Sequence, residues 1–116
     1  MNKDELYTHI DKHYHITPDY PWAKFPDYAV FRHKHNNKWF CLLAYVSADK
    51  LGLAGNDKHP IINVKIRPEY LGLWLCLDGF LPAYHMNKEH WLSILLEIAH
   101  DDDVIHLLAD SFELTT

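Results

Sequence analysis

The segment Pro82-Ala83-Tyr84-His85-Met86-Asn87-Lys88-Glu89-His90-Trp91 contains two histidines, an amide, a lysine and two large aromatic residues. Its apolar residues do not recur at the spacing of a helix or of a strand, so the pattern is not that of a core element. We interpret the segment as a structured junction. Residues 91–98 then alternate as a strand, with Leu92, Ile94, Leu96 and Ile98 on one side and Trp91, Ser93, Leu95 and Glu97 on the other.

The rest of the chain predicts helices at both ends and strands between them. Asn2 is placed to cap a helix that begins near Lys3, and the stretch Thr17-Pro18-Asp19 ends it. Residues 20–26 contain too many prolines for a helix or a central strand, and they predict a loop. The remaining pattern predicts strands over residues 28–33, 38–47 and 61–67, a loop over 48–60, a helix over 68–79 that packs Leu71, Trp74 and Leu75, and a last helix capped by Asp101-Asp102-Asp103.

This order of elements predicts an α+β domain in which helices cover an antiparallel sheet. A chain of 116 residues can bury its own core, so residues 1–116 are expected to form one domain. No apolar run has the length of a membrane span and no signal segment is recognised, so we expect a cytoplasmic protein without membrane contact. Cys41 and Cys76 each lie in an apolar run and are expected to be buried, reduced thiols.

The net charge of −5 argues against strong general affinity for nucleic acid. The charge is unevenly distributed, because residues 29–68 contain seven basic residues and two acids, a local charge of +5. Such an asymmetry can place a basic face on an acidic protein. The alternative is that exposed strands carry Lys and Arg only to keep the sheet soluble and its edges protected.

Motifs of enzymes are not found in the sequence. None of the four glycines belongs to a phosphate-binding loop, and no serine lies in a Gly-x-Ser-x-Gly pattern. His9 and His13 have a spacing at which two helical histidines can bind a metal, but no third ligand is marked. We therefore expect a non-enzymatic protein that folds without a metal or another cofactor.

The junction at 82–91 and a second polar stretch, residues 30–40, together resemble the MmcQ/YjbR family of small bacterial proteins. In that family a segment of the form Tyr-His-Met-Asn-Lys-x-His-Trp follows an Arg-His…Lys-Trp hairpin. The resemblance extends to Tyr20-Pro21-Trp22, Leu51-Gly52-Leu53, Ile62-Asn63-Val64-Lys65 and Asp110-Ser111-Phe112. It implies an α+β sandwich similar to that of frataxin, the CyaY-like fold.

The resemblance also implies DNA binding, because paired hairpins in the sheets of these proteins look like a double wing. The DNA-binding residues in this chain would then be Arg32, His33, Lys34, Lys38, Lys65, Arg67 and Lys88. Binding would be weak and salt-dependent, since the chain is acidic as a whole. A second hypothesis is a protein-interaction or small-ligand module with a pocket rimmed by Tyr20-Pro21-Trp22 and Tyr84. Clustered basic groups would favour DNA, whereas an aromatic-lined cavity with scattered charges would favour the ligand.

Two interpretations of the junction remain open. In the structural one, large side chains pack it against the domain and polar side chains satisfy backbone groups at the bend. The packing residues would be Tyr84, Met86 and the strand anchor Trp91, and the polar ones His85, His90 and Asn87, the last as the cap of a turn over residues 88–90. In the functional one, Tyr84, Lys88 and His90 point outward and form a recognition surface.

Overall fold

The computed structural model describes residues 1–116 and shows three α-helices and five β-strands. The helices are α1 (Lys3–Tyr14), α2 (Pro68–Leu75) and α3 (Asp101–Leu114). The strands are β1 (Ala29–Arg32), β2 (Trp39–Ser47), β3 (Lys58–Lys65), β4 (Phe80–Pro82) and β5 (Trp91–Leu95), and a short 3-10 helix, Ala48–Leu51, follows β2.

All five strands form one antiparallel sheet in the order β1-β2-β3-β5-β4. The prediction of an α+β fold with an antiparallel sheet is therefore confirmed. Strands β4 and β5 are neighbours, with Leu81 opposite Ser93, so residues 83–90 are the loop of a β-hairpin. The junction that the sequence singles out thus connects two paired strands.

Helices α1 and α3 pack on one face of the sheet, which we call the inner face. Leu6 and Ile10 of α1 and Leu107 and Leu108 of α3 are buried in one cluster with alternate residues of the strands. The strand residues of this cluster include Phe31, Leu43, Ile62, Val64, Leu92 and Ile94. The predicted alternation in β3 and β5 is what turns these residues to the same side.

The two terminal helices begin differently. At α1 the Asn2 side chain accepts a hydrogen bond from the Glu5 backbone N–H, and the Glu5 carboxylate accepts one from the Asn2 backbone N–H. The predicted cap is therefore confirmed. At α3 the cap residue is His100, and the acidic triplet 101–103 occupies the first helical turn instead of the cap position. Carboxylates in that turn remain favourable because they lie at the positive end of the helix dipole.

The opposite, outer face of the sheet is covered by loops and the 3-10 helix. Val46, Ile61 and Leu95 lie on this face in a smaller buried cluster with Leu51. Aromatic side chains from the loop before β1 and from the junction pack partly over it. Loop residues and strand residues therefore meet on the outer face, where the loops bury the strand side chains.

Strand β5 ends at Leu95, three residues earlier than the sequence predicts. The backbone N–H groups of Ile98 and Ala99 both donate to the Leu95 carbonyl, at 3.0 and 2.9 Å, so the chain turns there. Ile98 leaves the core and is 52 % exposed. Gly79 lies against this turn with a φ of +94°, and a Cβ on it would be 3.1 Å from the Ala99 backbone, so only glycine fits.

Helix α2 is more exposed than the sequence predicts, since none of its residues is buried. Leu71 and Trp74 pack partly against the core, but Leu75 is exposed. Cys76 follows the helix and is also exposed, so its predicted burial is wrong, because only the side of α2 that carries Leu71 and Trp74 faces the core. Cys41 is buried, as predicted.

Candidate functional site

Asn87 organises the junction between β4 and β5. Its side-chain oxygen accepts hydrogen bonds from the backbone N–H groups of Glu89 (2.8 Å) and His90 (3.2 Å), and its carbonyl accepts one from Trp91 (3.0 Å). The predicted cap at Asn87 is therefore confirmed. Before it, His85 takes a φ of 56°, in the left-handed region that residues with a Cβ rarely adopt.

Two buried polar side chains hold the junction onto the outer face. Asn63 of β3 and Ser93 of β5 are directly paired in the sheet and are 1 % and 0 % exposed. The Ser93 hydroxyl donates to the Asn63 side-chain oxygen and accepts from the Tyr84 backbone N–H at 2.9 Å. The Asn63 amide donates to the Tyr84 carbonyl at 3.1 Å. Both backbone groups of Tyr84 are thus bound by side chains that the sequence did not single out as a pair.

Some of the remaining side chains of the junction fit its structural interpretation, and others fit the functional one. Tyr84 and Met86 are half-buried, whereas His85, Lys88 and His90 are exposed. The prediction that His85 and His90 satisfy buried backbone groups is wrong, because their side chains face solvent and the buried groups of Tyr84 are already bound. The junction is therefore attached to the sheet through the Tyr84 backbone, and the side chains that it presents to solvent are polar.

Trp39 reaches the outer face because β2 contains a bulge near its start. Phe31 of β1 lies opposite Cys41, but the next residue, Arg32, lies opposite Trp39, so Phe40 is an extra residue in β2. Phe40 and Cys41 are both fully buried in the inner core cluster. The alternation resumes with Trp39 on the other side, which is how a bulge redirects a side chain.

Trp39 and Trp91 line a cavity of about 290 Å³ at one end of the outer face, with Lys38, Lys65, Leu114 and Thr115. We call this cavity the tryptophan cleft. The Lys65 ammonium lies 5.4 Å from the ring centroid of Trp91, and the Arg32 guanidinium lies 5.4 Å from that of Trp39. Both distances are in the range of cation–π contacts. No acidic side chain lines the cleft.

A serine from α3 holds Lys65 in place at the cleft. Cys41 and Val64 are paired, so the next pair of the β2–β3 ladder would join Phe40 and Lys65. In place of a direct bond between the two strands, the Ser111 hydroxyl accepts a hydrogen bond from the Lys65 backbone N–H at 2.9 Å and donates one to the Phe40 carbonyl at 2.6 Å. Ser111 is fully buried. The hydroxyl satisfies both backbone groups where the two strands separate, and it links α3 to the edge of the cleft.

The seven predicted DNA-binding residues do not all come together. Lys38 and Lys65 line the cleft, and Arg32 adjoins it but is paired with Asp19 at 2.8 Å. Lys34 and Lys88 are exposed. Arg67 lies in a different groove, between α2 and α3. The other residues that line this groove are Tyr70, Leu73, Trp74, Leu77, His106 and Asp110.

The prediction that His33 contacts DNA is wrong, because its ring is buried and only 2 % exposed. Its Nε2 lies 2.7 Å from the Thr115 hydroxyl, and the ring packs against Phe112 and Phe40 at centroid distances of 4.2 and 5.2 Å. Burial lowers the pKa of His33, with a smaller contribution from the neighbouring His35. His33 therefore anchors the end of α3 to the hairpin between β1 and β2.

A second cavity, of about 250 Å³, lies at the other end of the outer face, and we call it the tyrosine pocket. Its aromatic lining is Phe25, Tyr28, Tyr45 and Tyr84, and its charged lining is Lys24, Asp27, Lys50 and Lys58. Phe25 and Tyr28 stack with centroids 4.7 Å apart. The predicted rim residue Tyr84 thus lies at a cavity.

The other predicted rim residues lie elsewhere. Trp22 is in edge-to-face contact with Trp39 at 5.7 Å and with Tyr28 at 6.2 Å, so it lies between the cleft and the pocket and lines neither. The Tyr20 hydroxyl donates to that of Tyr7 on α1, at 3.2 Å. The prediction that Tyr20 belongs to the pocket is wrong, because the side chain is directed to the helix.

The histidines of α1 do not assemble a metal centre. The rings of His9 and His13 are 4.3 Å apart, but no group of three or more His, Cys, Asp or Glu side chains is close enough to hold an ion. Folding without a metal stays a prediction. None of the helices combines the length and apolar character that a membrane crossing requires.

Known proteins resemble this chain along its whole length. The uncharacterized protein YyaQ of Bacillus subtilis strain 168 is 40 % identical over 116 residues, which is 99 % of this chain and 98 % of the relative. A crystal structure of a Pseudomonas syringae protein is 44 % identical, with a TM-score of 0.98 and full coverage of both chains.

A crystal structure of Deinococcus radiodurans protein DR2400, described as a DUF419 domain, shares the fold. Its TM-score is 0.69 at 20 % identity, over 96 % of this chain and 75 % of that one. The family model that matches is described as YjbR, and it covers residues 12–114. The junction, the bulged hairpin and the sheet lie within these residues, and the chain belongs to the YjbR family.

Proposed function

We propose that this YjbR domain is a non-enzymatic DNA-binding protein and that the tryptophan cleft is its binding site. The supporting observation is the composition of the cleft, in which two lysines and two indole rings line one cavity without an acidic side chain. Lysines bind phosphates and release counterions, while aromatic rings stack on bases. The cleft offers both kinds of contact within one small surface.

The cleft favours single-stranded DNA over a duplex. A base in a duplex is stacked on both sides, whereas an unpaired base leaves a face free for Trp39 or Trp91. Arg32 adds little charge, because Asp19 already pairs with it. Lys34 and Lys88 are exposed and would add peripheral phosphate contacts. With a net charge of −5 on the chain, the affinity should be low and should fall as salt rises.

A salt titration of single-stranded and duplex DNA of one sequence, followed by fluorescence anisotropy, tests this proposal. The wild-type chain should bind the single strand more tightly at low salt. The logarithm of the association constant should fall linearly with the logarithm of salt concentration, with a slope of roughly −0.7 for each phosphate neutralised. No binding to either DNA at low salt would refute the function, and equal affinity for both would refute the preference.

The buried thiol of Cys41 gives no support to a catalytic role. Burial raises the pKa of Cys41, which keeps this thiol protonated and unreactive. Neither Cys41 nor Cys76 forms a disulfide, which fits a reducing compartment, so the cytoplasm remains the location that we propose.

A small-ligand module is a second candidate function, and the tyrosine pocket favours it. Four aromatic residues line this pocket, and Tyr84 of the junction is one of them. Ligand sites are typically concave, with an apolar and aromatic lining and a few polar groups. The scattering of the seven basic residues beyond the cleft also agrees with this candidate.

A further inference from the structure

The tyrosine pocket gathers lysines from three separate parts of the fold. Lys24 comes from the loop before β1, Lys50 from the 3-10 helix and Lys58 from the start of β3, and all three line one cavity. Asp27 is the one acidic side chain in that lining. The pocket is therefore locally positive on a chain whose net charge is −5.

None of these lysines forms an ion pair. The ion pairs of the chain involve the N-terminal ammonium, Arg32 and His106, and none joins Lys24, Lys50 or Lys58 to a carboxylate within 4.0 Å. Asp27 and Asp49 lie near them without forming such a pair, although, after the hydrogen bond from Ser47, Lys50 contributes to lowering the pKa of the Asp49 carboxyl. Three unpaired ammonium groups around one concave surface favour an anion there.

The walls of the pocket present aromatic surface that the fold itself does not bury. Tyr28 and Tyr84 are half-buried, and Phe25 is 49 % exposed although it stacks on Tyr28. Aromatic rings prefer to stack or meet edge to face with other rings. A ring entering the pocket would complete a cluster that now ends at solvent.

Phenolic hydroxyls supply hydrogen-bond donors to the same space. The Tyr28 hydroxyl makes only a long contact of 3.4 Å with the Tyr45 carbonyl, beyond the usual range for an O–H donor, so it is free to turn to a ligand. Burial raises the pKa of Tyr28, and Tyr84 raises it further, so this hydroxyl remains a donor at neutral pH.

We propose that the tyrosine pocket binds a small molecule that carries an anionic group on a single aromatic ring, such as an aromatic carboxylate. This inference rests on the second candidate function and names the ligand class for it. A volume of about 250 Å³ suits one ring with a short charged substituent and is too small for most drug-sized ligands. The ring would lie against Phe25, Tyr28 and Tyr84, and the anion would face Lys50 and Lys58.

Three probe molecules separate the two parts of this proposal. Benzoate has the ring and the charge, cyclohexanecarboxylate has the charge without the aromatic ring, and benzyl alcohol has the ring without the charge. Each is titrated into the full chain labelled with ¹⁵N, and amide shifts are followed. Benzoate should shift the amides around Tyr28, Ser47, Lys58 and Tyr84, and the other two probes should bind at least roughly fivefold more weakly, the scale of one charged hydrogen bond or one ring stack.

Variants then locate the binding site. Lys50→Ala and Lys58→Ala should each weaken benzoate binding by roughly three- to tenfold, the scale of one ordinary net hydrogen bond. Lys12→Ala, which removes the same charge from the exposed side of α1, should leave it unchanged. Equal losses in all three variants would overturn the assignment to the pocket.

The outcomes also separate this inference from the second candidate function, on which it rests. Equal binding of benzyl alcohol and benzoate would leave a ligand module but refute the anionic class, and equal binding of cyclohexanecarboxylate would refute the aromatic class. No saturable shift with any probe would refute the proposed class of an anionic group on an aromatic ring. None of these three results bears on DNA binding at the tryptophan cleft.

Discussion

The Ser93 hydroxyl donates a hydrogen bond to the Asn63 side chain across directly paired positions of β5 and β3, under the carbonyl and N–H of Tyr84. This pair decides where the junction lies. Without this pair, the hairpin loop 83–90 would have no hydrogen bonds to the outer face at Tyr84. The position of Tyr84 in the lining of the tyrosine pocket would then not be fixed.

Ser93→Ala should therefore destabilise the fold. The change leaves the Tyr84 N–H and the Asn63 oxygen without this partner in a buried setting, and an unsatisfied buried polar group costs about 1–3 kcal/mol. Urea unfolding measures the loss. Thr17→Ala, at an exposed loop position, serves as the control and should change stability little. Equal stability of the two variants would show that the pair does not hold the junction.

Trp91 should contribute both to stability and to DNA binding. Truncation of a fully buried tryptophan costs about 3–5 kcal/mol, and Trp91 is only half-buried, so we expect Trp91→Ala to cost about 1–2 kcal/mol. The same variant should also weaken single-strand binding, since it removes a stacking surface of the cleft.

Lys88→Ala is the matched comparison in the same junction. Lys88 is exposed, so its removal should leave the free energy of unfolding nearly unchanged and affect only the binding of DNA. Urea unfolding and anisotropy on both variants separate the two roles. If Trp91→Ala kept full affinity for DNA, Trp91 would be a packing residue alone.

His33 should make stability depend on pH below neutrality. Its pKa is lowered in the folded chain from an ordinary value of 6.5, so the unfolded chain binds this proton more readily. The stability is therefore fully present above about pH 6.5 and falls as the pH decreases from there towards the folded pKa.

A comparison of His33→Gln with His35→Gln tests this assignment. The first variant should flatten the slope of unfolding free energy between pH 5 and pH 6.5 (about the window in which a free histidine titrates). His35 is exposed and contributes only a smaller part of the lowering of the His33 pKa, so the second variant should reduce the slope less than the first. His9, whose pKa burial also lowers, contributes a slope of the same sign that remains in both variants. An unchanged slope in His33→Gln would contradict the buried role of this histidine.

The sequence predicts those parts of the fold that depend on neighbouring residues. Asn2 and Glu5 form their capping box within one helical turn, and Asn87 caps a turn that ends three residues later. The alternation of apolar residues in β3 identifies the face that the helices cover. Each of these features is set by residues close together in the chain.

The sequence does not predict features that depend on distant partners. Ser111 enters the ladder between residues 40 and 65 only because α3 folds back over the end of the sheet. Ser93 and Asn63 are 30 positions apart, and His33 is buried by contacts with the last helix. Nothing in the local pattern around His33 separates a buried histidine from an exposed one, so the DNA contact that the family resemblance implies for it has no local signal against it.

The most direct test of the central claim is the DNA affinity of the double variant Lys38→Ala/Lys65→Ala beside Lys3→Ala/Lys12→Ala. Both remove two positive charges, the first from the tryptophan cleft and the second from exposed positions of α1. In a salt titration with single-stranded DNA, the cleft variant should bind much more weakly and lose about 1.4 units of salt slope, roughly 0.7 for each of two phosphate contacts. The α1 variant should keep the wild-type slope. If the two variants lose affinity and slope equally, the tryptophan cleft is not the DNA-binding site.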